Sequence, residues 1–565
     1  MKITKNIARL AVTAGLTAAL SFGCVMAPVT MAFAVEGATT ANGSVTIENV
    51  EGNTTEFKGY QIFRADVATN GTVSNITWAN INVQNAVESF IQVEDESYAG
   101  RTAQDAADWI TKKVEGAGKT TRVEFGSIPY KIADRVDGLT ESVTTTGKTV
   151  SGLEHGYWLF VTDPGTIETG DAGTSPIFTV VGSAPVKITE KTGVPTVEKK
   201  IVSDADGMEH DAADSQIGRD VTYNLYGTVA ENFDKYGTYF YQFSDQISKG
   251  LTLQEGAKVY LYKNRNDAKA DLARKKGTDI TTNFIKSTDT AAEDGSMTTK
   301  WTCDNLKTVK GVTKDSYIVV SYTARINEHA IVAGTESNNN AVILKYSNNP
   351  MDKDSKGQTP PDTVKDYTYG LRINKVDLGT ETKLPNAQFT ITTNGDEKNE
   401  QVKYVDDKGK LSTNEVILTT NGDGVITLTG LDAGVYTVKE VSAPDGYTAA
   451  DPFTFEIRPT MTDDGPAAGL TRVTGELKTS QETKVIAGLN DTSAGKVGDN
   501  KLDFKEGTLI NTDDGTFNIT VGDTKQINLP LTGLNGVTFT WIAGGAVLCV
   551  GVAHLIRSRK RDDGS

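Results

Sequence analysis

The stretch Tyr436-Thr437-Val438-Lys439-Glu440-Val441-Ser442-Ala443-Pro444-Asp445-Gly446-Tyr447 decides the fold of the C-terminal third of the chain. Its first half alternates in polarity, which is typical of a strand with one buried face. In a strand, residues two apart point to the same side, so Tyr436, Val438 and Glu440 share a face. Pro and Gly then end the strand in a turn. The alternation therefore predicts an inward-facing carboxyl group.

The same period places two more polar side chains on inner faces. Leu371, Ile373 and Lys375 share one face of a strand, and Leu509 and Asn511 share a face of another. Burying a charged Lys and Glu costs several kcal/mol unless the groups pair or change protonation. An inward Lys, Glu and Asn are thus expected in one domain.

Three interpretations of this set are open. The first is a buried Lys–Glu salt bridge with an Asn hydrogen bond, and the second is that the strands are misjudged by one residue in register. The third is chemical: an apolar core lowers the Lys pKa and raises the Glu pKa, so a neutral amine can attack the Asn carboxamide while the acid donates a proton. Loss of ammonia would then leave a Lys–Asn isopeptide bond.

A family resemblance favours the chemical interpretation. Residues 436–447 are similar to the E-box of Gram-positive pilins, and Leu384-Pro385-Asn386-Ala387-Gln388-Phe389 resembles the opening of their Cna B-type domains. The resemblance implies a bond between Lys375 and Asn511, promoted by Glu440. It also implies an all-β fold of tandem immunoglobulin-like, Cna-type β-sandwich domains.

A middle segment repeats the pattern with an aspartate. Alternation places Lys199, Asp245 and Asn348 on inward faces of three strands, and the three segments resemble the middle domain of pilus backbone subunits. The resemblance implies a Lys199–Asn348 bond with Asp245 as the catalytic acid. Lys200 and Asn349 are the nearest competitors, which the alternation disfavours.

Composition changes divide the chain into segments. Pro195 and the Pro-containing stretch 350–361 interrupt strand-like text, and Ala103 to Val114 has helical spacing. No Lys–acid–Asn set is evident in the N-terminal domain. The expected organisation is a signal peptide (1–34), an N-terminal pilin domain (35–191), a middle isopeptide domain (192–350), a linker (351–365), a C-terminal Cna B-type domain (366–528) and a sorting signal (529–565). Residues 512–528 are open between a last strand and a tether to the sorting signal.

The two ends predict export and anchoring. Basic residues, an apolar run and Ala32-Phe33-Ala34 are typical of a secretory signal peptide. Near the C-terminus stand the pentapeptide Leu529-Pro530-Leu531-Thr532-Gly533, the apolar stretch 534–556 and a basic tail, an order that favours a membrane-spanning segment. This end resembles a Gram-positive cell-wall sorting signal, which implies sortase cleavage between Thr532 and Gly533 and attachment to peptidoglycan.

Polymerisation would need one more lysine. Backbone pilins carry it in a motif ending Tyr-Pro-Lys-Asn, and here the equivalent stretch 186–192 keeps a lysine but lacks the Tyr-Pro and the Asn. Lys191 is the candidate and Lys187 the reserve. The resemblance implies a class C pilin sortase, a housekeeping sortase, identical subunits, minor pilins and host surface ligands as partners, and a wall-anchored fimbrium as the location.

Composition excludes other classes. The 565 residues carry a net charge of -16, which disfavours a nucleic-acid partner. The three cysteines form no disulfide framework, and no histidine stands in a metalloprotease or triad motif. We therefore expect no enzyme activity, metal or cofactor. A pilus shaft subunit is the leading hypothesis, and a minor pilin or non-polymerising wall-anchored adhesin is the alternative.

Overall fold

A computed structural model describes residues 42–49, 54–69, 71–116, 123, 125–140, 143–145, 149–168, 171–189, 193–332, 337–393, 402–462, 465, 468–479, 485–488, 508–512 and 515–526. These residues form three consecutive domains, each built mainly from β-sheets. The predicted all-β tandem architecture is confirmed, with helices confined mostly to the first domain. The signal-peptide and sorting-signal segments lie outside the described residues.

The N-terminal domain combines two sheets with three helices. Its elements are β1 Gly43–Glu48, β2 Phe57–Val67, β3 Val73–Trp78, α1 Ile81–Glu94, α2 Ala103–Gly116, α3 Ile128–Val136, β4 Val143–Thr144, β5 Thr149–Leu153, β6 Gly156–Thr162, β7 Ile177–Val181 and β8 Val186–Thr189. One sheet has the order β5-β1-β8 and the other β3-β2-β6-β7, with β4 beside β2. Helix α2 confirms the helical spacing at Ala103. Helices α1 and α3, which begin after the capping side chains of Asn80 and Ser127, were not predicted.

The middle domain is a sandwich of two larger sheets. Its elements are β9 Val197–Val202, β10 Glu209–His210, β11 Ala212–Asp214, β12 Asp220–Thr228, β13 Tyr241–Ile247, β14 Leu251–Leu253, β15 Lys258–Tyr262, α4 Arg265–Ala270, β16 Thr278–Asp279, β17 Ile285–Thr288, β18 Met297–Cys303, β19 Tyr317–Ile326, β20 Asn338–Ser347, β21 Lys356–Gln358 and β22 Asp362–Tyr367. The sheets run β10-β9-β12-β19-β15-β16, with β14 beside β19, and β11-β22-β20-β13-β18-β17, with β21 beside β20. Aromatic side chains fill the space between them: Trp301 and Tyr223 both stack on Tyr322, with ring centroids 5.5 Å apart in each pair.

The predicted linker at 351–365 is wrong. This segment contains β21 and most of β22, which pair with β20 and complete the second sheet of the middle domain. Its prolines suggested a linker, but Pro350, Pro360 and Pro361 all lie outside these strands, where they remove no ladder hydrogen bond. The middle domain therefore continues to Tyr367.

The C-terminal domain is a second sandwich. Its elements are β23 Tyr369–Asp377, β24 Gln388–Thr393, β25 Lys403–Val405, β26 Leu411–Ser412, β27 Leu418–Thr419, β28 Val425–Leu431, β29 Gly434–Ser442, β30 Tyr447–Thr448, β31 Phe453–Thr462, β32 Gly469–Thr479, β33 Val485–Gly488, β34 Thr508–Thr512 and β35 Thr516–Lys525. One sheet runs β28-β23-β35-β30, with β33 beside β35, and the other β26-β25-β24-β29-β31-β32-β34, with β27 beside β24. Strand β35 runs parallel to β23 and brings the end of the domain beside its start. The sequence left 512–528 open between a strand and a tether, and the structure makes most of it a strand.

Short 3-10 turns lie at Pro164–Thr166, Phe233–Lys235, Thr281–Asn283 and Leu306–Thr308.

Candidate functional sites: two buried lysine clusters

Lys199 lies at the centre of the middle domain. It is fully buried on β9, on the inward face that the alternation predicted. Its Nζ contacts Asp245 Oδ1 from β13, the carboxamide oxygen of Asn340 from β20 at 2.5 Å, and the Tyr322 hydroxyl from β19 at 3.1 Å. Both sheets of the sandwich thus converge on one amine.

The electrostatics of this site make the neutral form of the amine more accessible than in an exposed lysine. Burial lowers the pKa of Lys199 to about 8, although the nearby Asp245 carboxyl opposes this shift. An amine with a lowered pKa is partly deprotonated near neutral pH and is then a nucleophile. The Asn340 carboxamide, which contains an electrophilic carbon, lies beside it.

Asn348 is not the partner of Lys199. It lies just beyond β20, eight residues after Asn340, which corresponds to about 26 Å along an extended strand. Alternation predicts the face of a strand on which a residue lies but not its position along the strand. Because the two asparagines are an even number of residues apart, it assigns both to the same face. The alternation therefore identified the strand that contacts Lys199, but it selected an asparagine just beyond the opposite end of that strand.

Asn348 instead lies at the joint between the first two domains. Its backbone oxygen accepts a hydrogen bond from Gly173 N at 2.5 Å, and its side chain accepts one from Ser355 Oγ at 2.7 Å. The competitors lie elsewhere too: Lys200 pairs with Asp211 at 2.6 Å, and Asn349 accepts a hydrogen bond from the backbone N of Met351.

Tyr322 and Asn340 are the members of this cluster that sequence reasoning missed. Tyr322 Oη contacts Asp245 Oδ2 at 2.5 Å and accepts a hydrogen bond from Asn340 Nδ2 at 2.7 Å. The run Asn338-Asn339-Asn340 opens β20 and carried the available signal, since it presents two inward asparagines. Which of them faces β9 depends on the packing of the two sheets.

A second buried amine occupies the C-terminal domain. Lys375 on β23 and Glu440 on β29 are buried, with 2.9 Å between Nζ and Oε2. Lys375 Nζ also contacts Asp523 Oδ1 from β35, the strand parallel to β23. The predicted inward directions of Lys375 and Glu440 are confirmed, and the third member is a carboxyl group.

The environment of Glu440 makes its protonated form accessible near neutral pH. Burial raises its pKa to about 7, against the opposing effect of Lys375. Its Oε2 accepts a hydrogen bond from Ala450 N at 2.8 Å, whereas Oε1 and Asp523 Oδ2 make no hydrogen bond among the described residues. A buried pair of carboxyl groups and one amine is stable only with shared protons or with a covalent bond.

Asn511 lies on β34, not on the strand that adjoins Lys375. The backbone of Asn511 pairs with Thr474 of β32, at the edge of the sheet that carries Glu440. Its side chain lies outside the described residues. The sequence prediction took the strand at Asn511 as the partner of Lys375, whereas Asp523 on β35 takes that position.

The predicted E-box links β29, which carries Glu440, to β35, the last described strand of the domain. After β29, Gly446 adopts a φ of +83°, and the Tyr447 N–H donates to the Pro444 carbonyl at 3.0 Å to close a turn. After the turn, Tyr447 pairs with β35 in an antiparallel ladder, opposite Lys525. These contacts fix β29 and β35 relative to each other and so fix Glu440 relative to Asp523.

The remaining predicted site residues lie largely outside the described residues. Lys191, the pentapeptide 529–533 and the apolar stretch 534–556 all belong to this group. Lys187 lies on β8 with its side chain 66% exposed and is paired with Glu48 at 2.7 Å.

The described part of the chain contains no helix with the length and apolar character needed to cross a membrane. In that same part, no group of three or more His, Cys, Asp or Glu side chains could hold a metal ion.

Sequence comparison matches parts of the chain to a domain family and to a streptococcal surface protein. Residues 370–466 match the SpaA family, described as a prealbumin-like fold domain. The trypsin-resistant surface T6 protein of Streptococcus pyogenes serotype M6 is 27% identical over 278 residues, which is 43% of this chain. The chain spans about half the length of that relative, 48%. The chain is thus similar in sequence to a streptococcal surface protein and, within its C-terminal domain, to the SpaA domain family.

Solved structures of pilins also align with the chain. The T6 backbone pilin of Streptococcus pyogenes covers 86% of this chain and 98% of its own, with 18% identity and a TM-score of 0.49. The full-length major pilin SpaD of Corynebacterium diphtheriae covers 86% and 98%, with 16% identity and a TM-score of 0.43. BcpA, the major pilin subunit of Bacillus cereus, covers 86% and 99%, with 14% identity and a TM-score of 0.37.

Proposed function

We propose that this chain is a structural subunit of a covalent pilus shaft, stabilised by two internal isopeptide bonds. The observation that carries the proposal is the repeated buried cluster: two successive domains each place a fully buried lysine against one acid and one carboxamide or carboxyl group. An ion pair alone is a weak source of stability at such depth, because desolvation opposes the attraction. A covalent bond removes both charges.

The two proposed bonds differ in chemistry. In the middle domain, Lys199 Nζ attacks Asn340 Cγ, a C–N bond forms and ammonia leaves. In the C-terminal domain, Lys375 Nζ attacks Asp523 Cγ and water leaves. Asp245 and Glu440 are the proton-transferring acids, since each contacts the attacking nitrogen. Each bond forms once within one molecule, so we propose no enzymatic turnover.

Polymerisation would join Thr532 of one subunit to Lys191 of the next. A class C sortase would cut after Thr532, and a housekeeping sortase would attach the finished fibre to peptidoglycan. Identical subunits, minor pilins and host surface ligands are the proposed partners. The name of the T6 relative describes a trypsin-resistant surface protein. We propose the same resistance here, because bonds across both sandwiches would prevent the domains from opening fully.

Expression with the sortase tests polymerisation. The wild-type chain should give a ladder of high-mass species on a denaturing gel, and Lys191→Ala should abolish it. Lys187→Ala is the matched control, because Lys187 is an exposed lysine of the same segment. A ladder that persists in Lys191→Ala but is lost in Lys187→Ala would reassign the lysine. Absence of a ladder in the wild type would contradict the shaft proposal and favour a wall-anchored adhesin.

A further inference from the structure

The Tyr322 hydroxyl lies within the middle-domain cluster, whereas no hydroxyl among the described residues contacts the side chains of Lys375, Glu440 or Asp523. It contacts Asp245 Oδ2 at 2.5 Å, Asn340 Nδ2 at 2.7 Å and Lys199 Nζ at 3.1 Å. By contrast, Asp523 Oδ2 makes no hydrogen bond among the described residues. Within the described part of the two domains, a hydroxyl lies beside the group that must leave in the middle domain alone.

This difference matches a difference in leaving groups. The nitrogen of a carboxamide cannot depart as an amide anion, so Asn340 Nδ2 must gain a proton before the C–N bond breaks. Asp245 Oδ1 faces the attacking amine, while Asp245 Oδ2 faces Tyr322. The acid contacts the departing nitrogen only through that hydroxyl.

We propose that Tyr322 is a catalytic residue of bond formation that relays a proton from Asp245 Oδ2 to the departing Nδ2 of Asn340. This inference rests on the proposed Lys199–Asn340 bond. The reaction begins with Asp245 protonated on Oδ2 and Lys199 as a neutral amine. In this state Asp245 Oδ2 donates a hydrogen bond to Tyr322 Oη. The hydroxyl hydrogen of Tyr322 then points toward Asn340 Nδ2.

The proton transfers balance. Lys199 Nζ attacks Asn340 Cγ, and Nδ2 becomes tetrahedral with a free lone pair. The attacking nitrogen gives a proton to Asp245 Oδ1, Asp245 Oδ2 gives its proton to Tyr322 Oη, and Tyr322 gives its own to Nδ2. Ammonia leaves, the new amide remains, and both Asp245 and Tyr322 regain their starting protonation.

The surroundings hold the hydroxyl in this position. Tyr322 stacks between Tyr223 and Trp301, with both ring centroids at 5.5 Å. Tyr322 is fully buried, and burial raises its pKa well above the ordinary value, so it remains a hydroxyl at neutral pH. A rigid neutral hydroxyl between an acid and a leaving group is suited to proton transfer.

The rate of linkage tests the relay. The full chain is made by cell-free translation and quenched in denaturant at intervals, and mass spectrometry of proteolytic peptides quantifies the Lys199–Asn340 link. Tyr322→Phe should slow linkage about a hundredfold or more, within the range of general acid–base catalysis. Tyr241→Phe is the matched control, since it removes a buried hydroxyl of the same domain that bonds Thr228 O instead. It should leave the rate unchanged.

The same substitution in an Asn340→Asp chain separates an effect on catalysis from an effect on folding. In Asn340→Asp the leaving group is water, which departs more readily than ammonia, so Tyr322→Phe should slow linkage there less than about tenfold. A structural defect would slow both backgrounds equally, and that result would overturn the relay. An unslowed Tyr322→Phe would also overturn it while leaving the bond intact. Absence of the link in the wild-type chain would refute the bond and the relay together.

Discussion

Replacing Asp245 by Asn should uncouple the middle domain from its cross-link with little change of shape. The variant keeps Lys199 and Asn340 in place but removes the group that accepts and returns protons. We expect the chain to keep the ammonia that the wild type loses. The folded domain then depends on non-covalent contacts alone.

The loss of stability follows from the length of chain that the bond closes. Lys199 and Asn340 are 141 positions apart. In the chain-entropy model of a cross-link, a loop of that size stabilises the folded state by about 5 kcal/mol. For a domain of this size, each kcal/mol shifts Tm by roughly 2–4 °C, so the middle-domain transition should fall by roughly 10–20 °C.

Differential scanning calorimetry of the whole chain is the assay, because the C-terminal transition serves as an internal reference. Asp220→Asn is the matched control: it makes the same chemical change in the same domain, at an exposed pair with Arg325 at 2.7 Å. Such surface pairs contribute at most about 1 kcal/mol, so its transition should move by a few degrees. If Asp245→Asn melts no lower than this control, the stabilising cross-link is refuted.

Three further outcomes are expected. Glu440→Gln should retain the water that the C-terminal domain otherwise loses, seen as a heavier intact mass; loss of that water in the variant would exclude Glu440 as the acid. Asp366 is buried with a pKa raised to about 8, so the folded state keeps a proton that the unfolded chain releases near pH 4. Stability should therefore fall as pH rises from about 4 to about 8, by up to ~1.4 kcal/mol per pH unit, and Asp366→Asn should flatten this slope in urea titrations. An equal slope in the variant would contradict the assignment. Asn348→Ala should leave the ammonia loss unchanged, because Asn340 is the proposed bonding partner and the asparagine that contacts Lys199; retention of ammonia would restore Asn348 to that role.

Alternation in the sequence predicted the directions of the reactive side chains well. Lys199, Asp245, Lys375 and Glu440 all point inward as expected, because a period of two fixes the face of a strand once one side is buried. The E-box was also informative, since its Pro and Gly define a turn that positions the next strand.

The electrophilic partners were beyond this reasoning. Asn340 and Asn348 are separated by an even number of residues, so the alternation assigns both to the same face of the strand. Only the packing of β9 against β20 shows which of them contacts Lys199. Asp523 stands in a strand that the sequence left open as a tether, so Asn511 took its place in the prediction. Distances between sheets depend on tertiary packing, which a strand pattern does not contain.

The intact mass of the chain after signal-peptide removal decides whether the domains are internally bonded. With Asn340 and Asp523 as the partners, the mass should fall short of the sequence mass by one ammonia and one water. Asparagine partners in both domains, as the sequence predicted, would give a deficit of two ammonias. The full sequence mass would show that both clusters are ion pairs and that the isopeptide proposal is wrong.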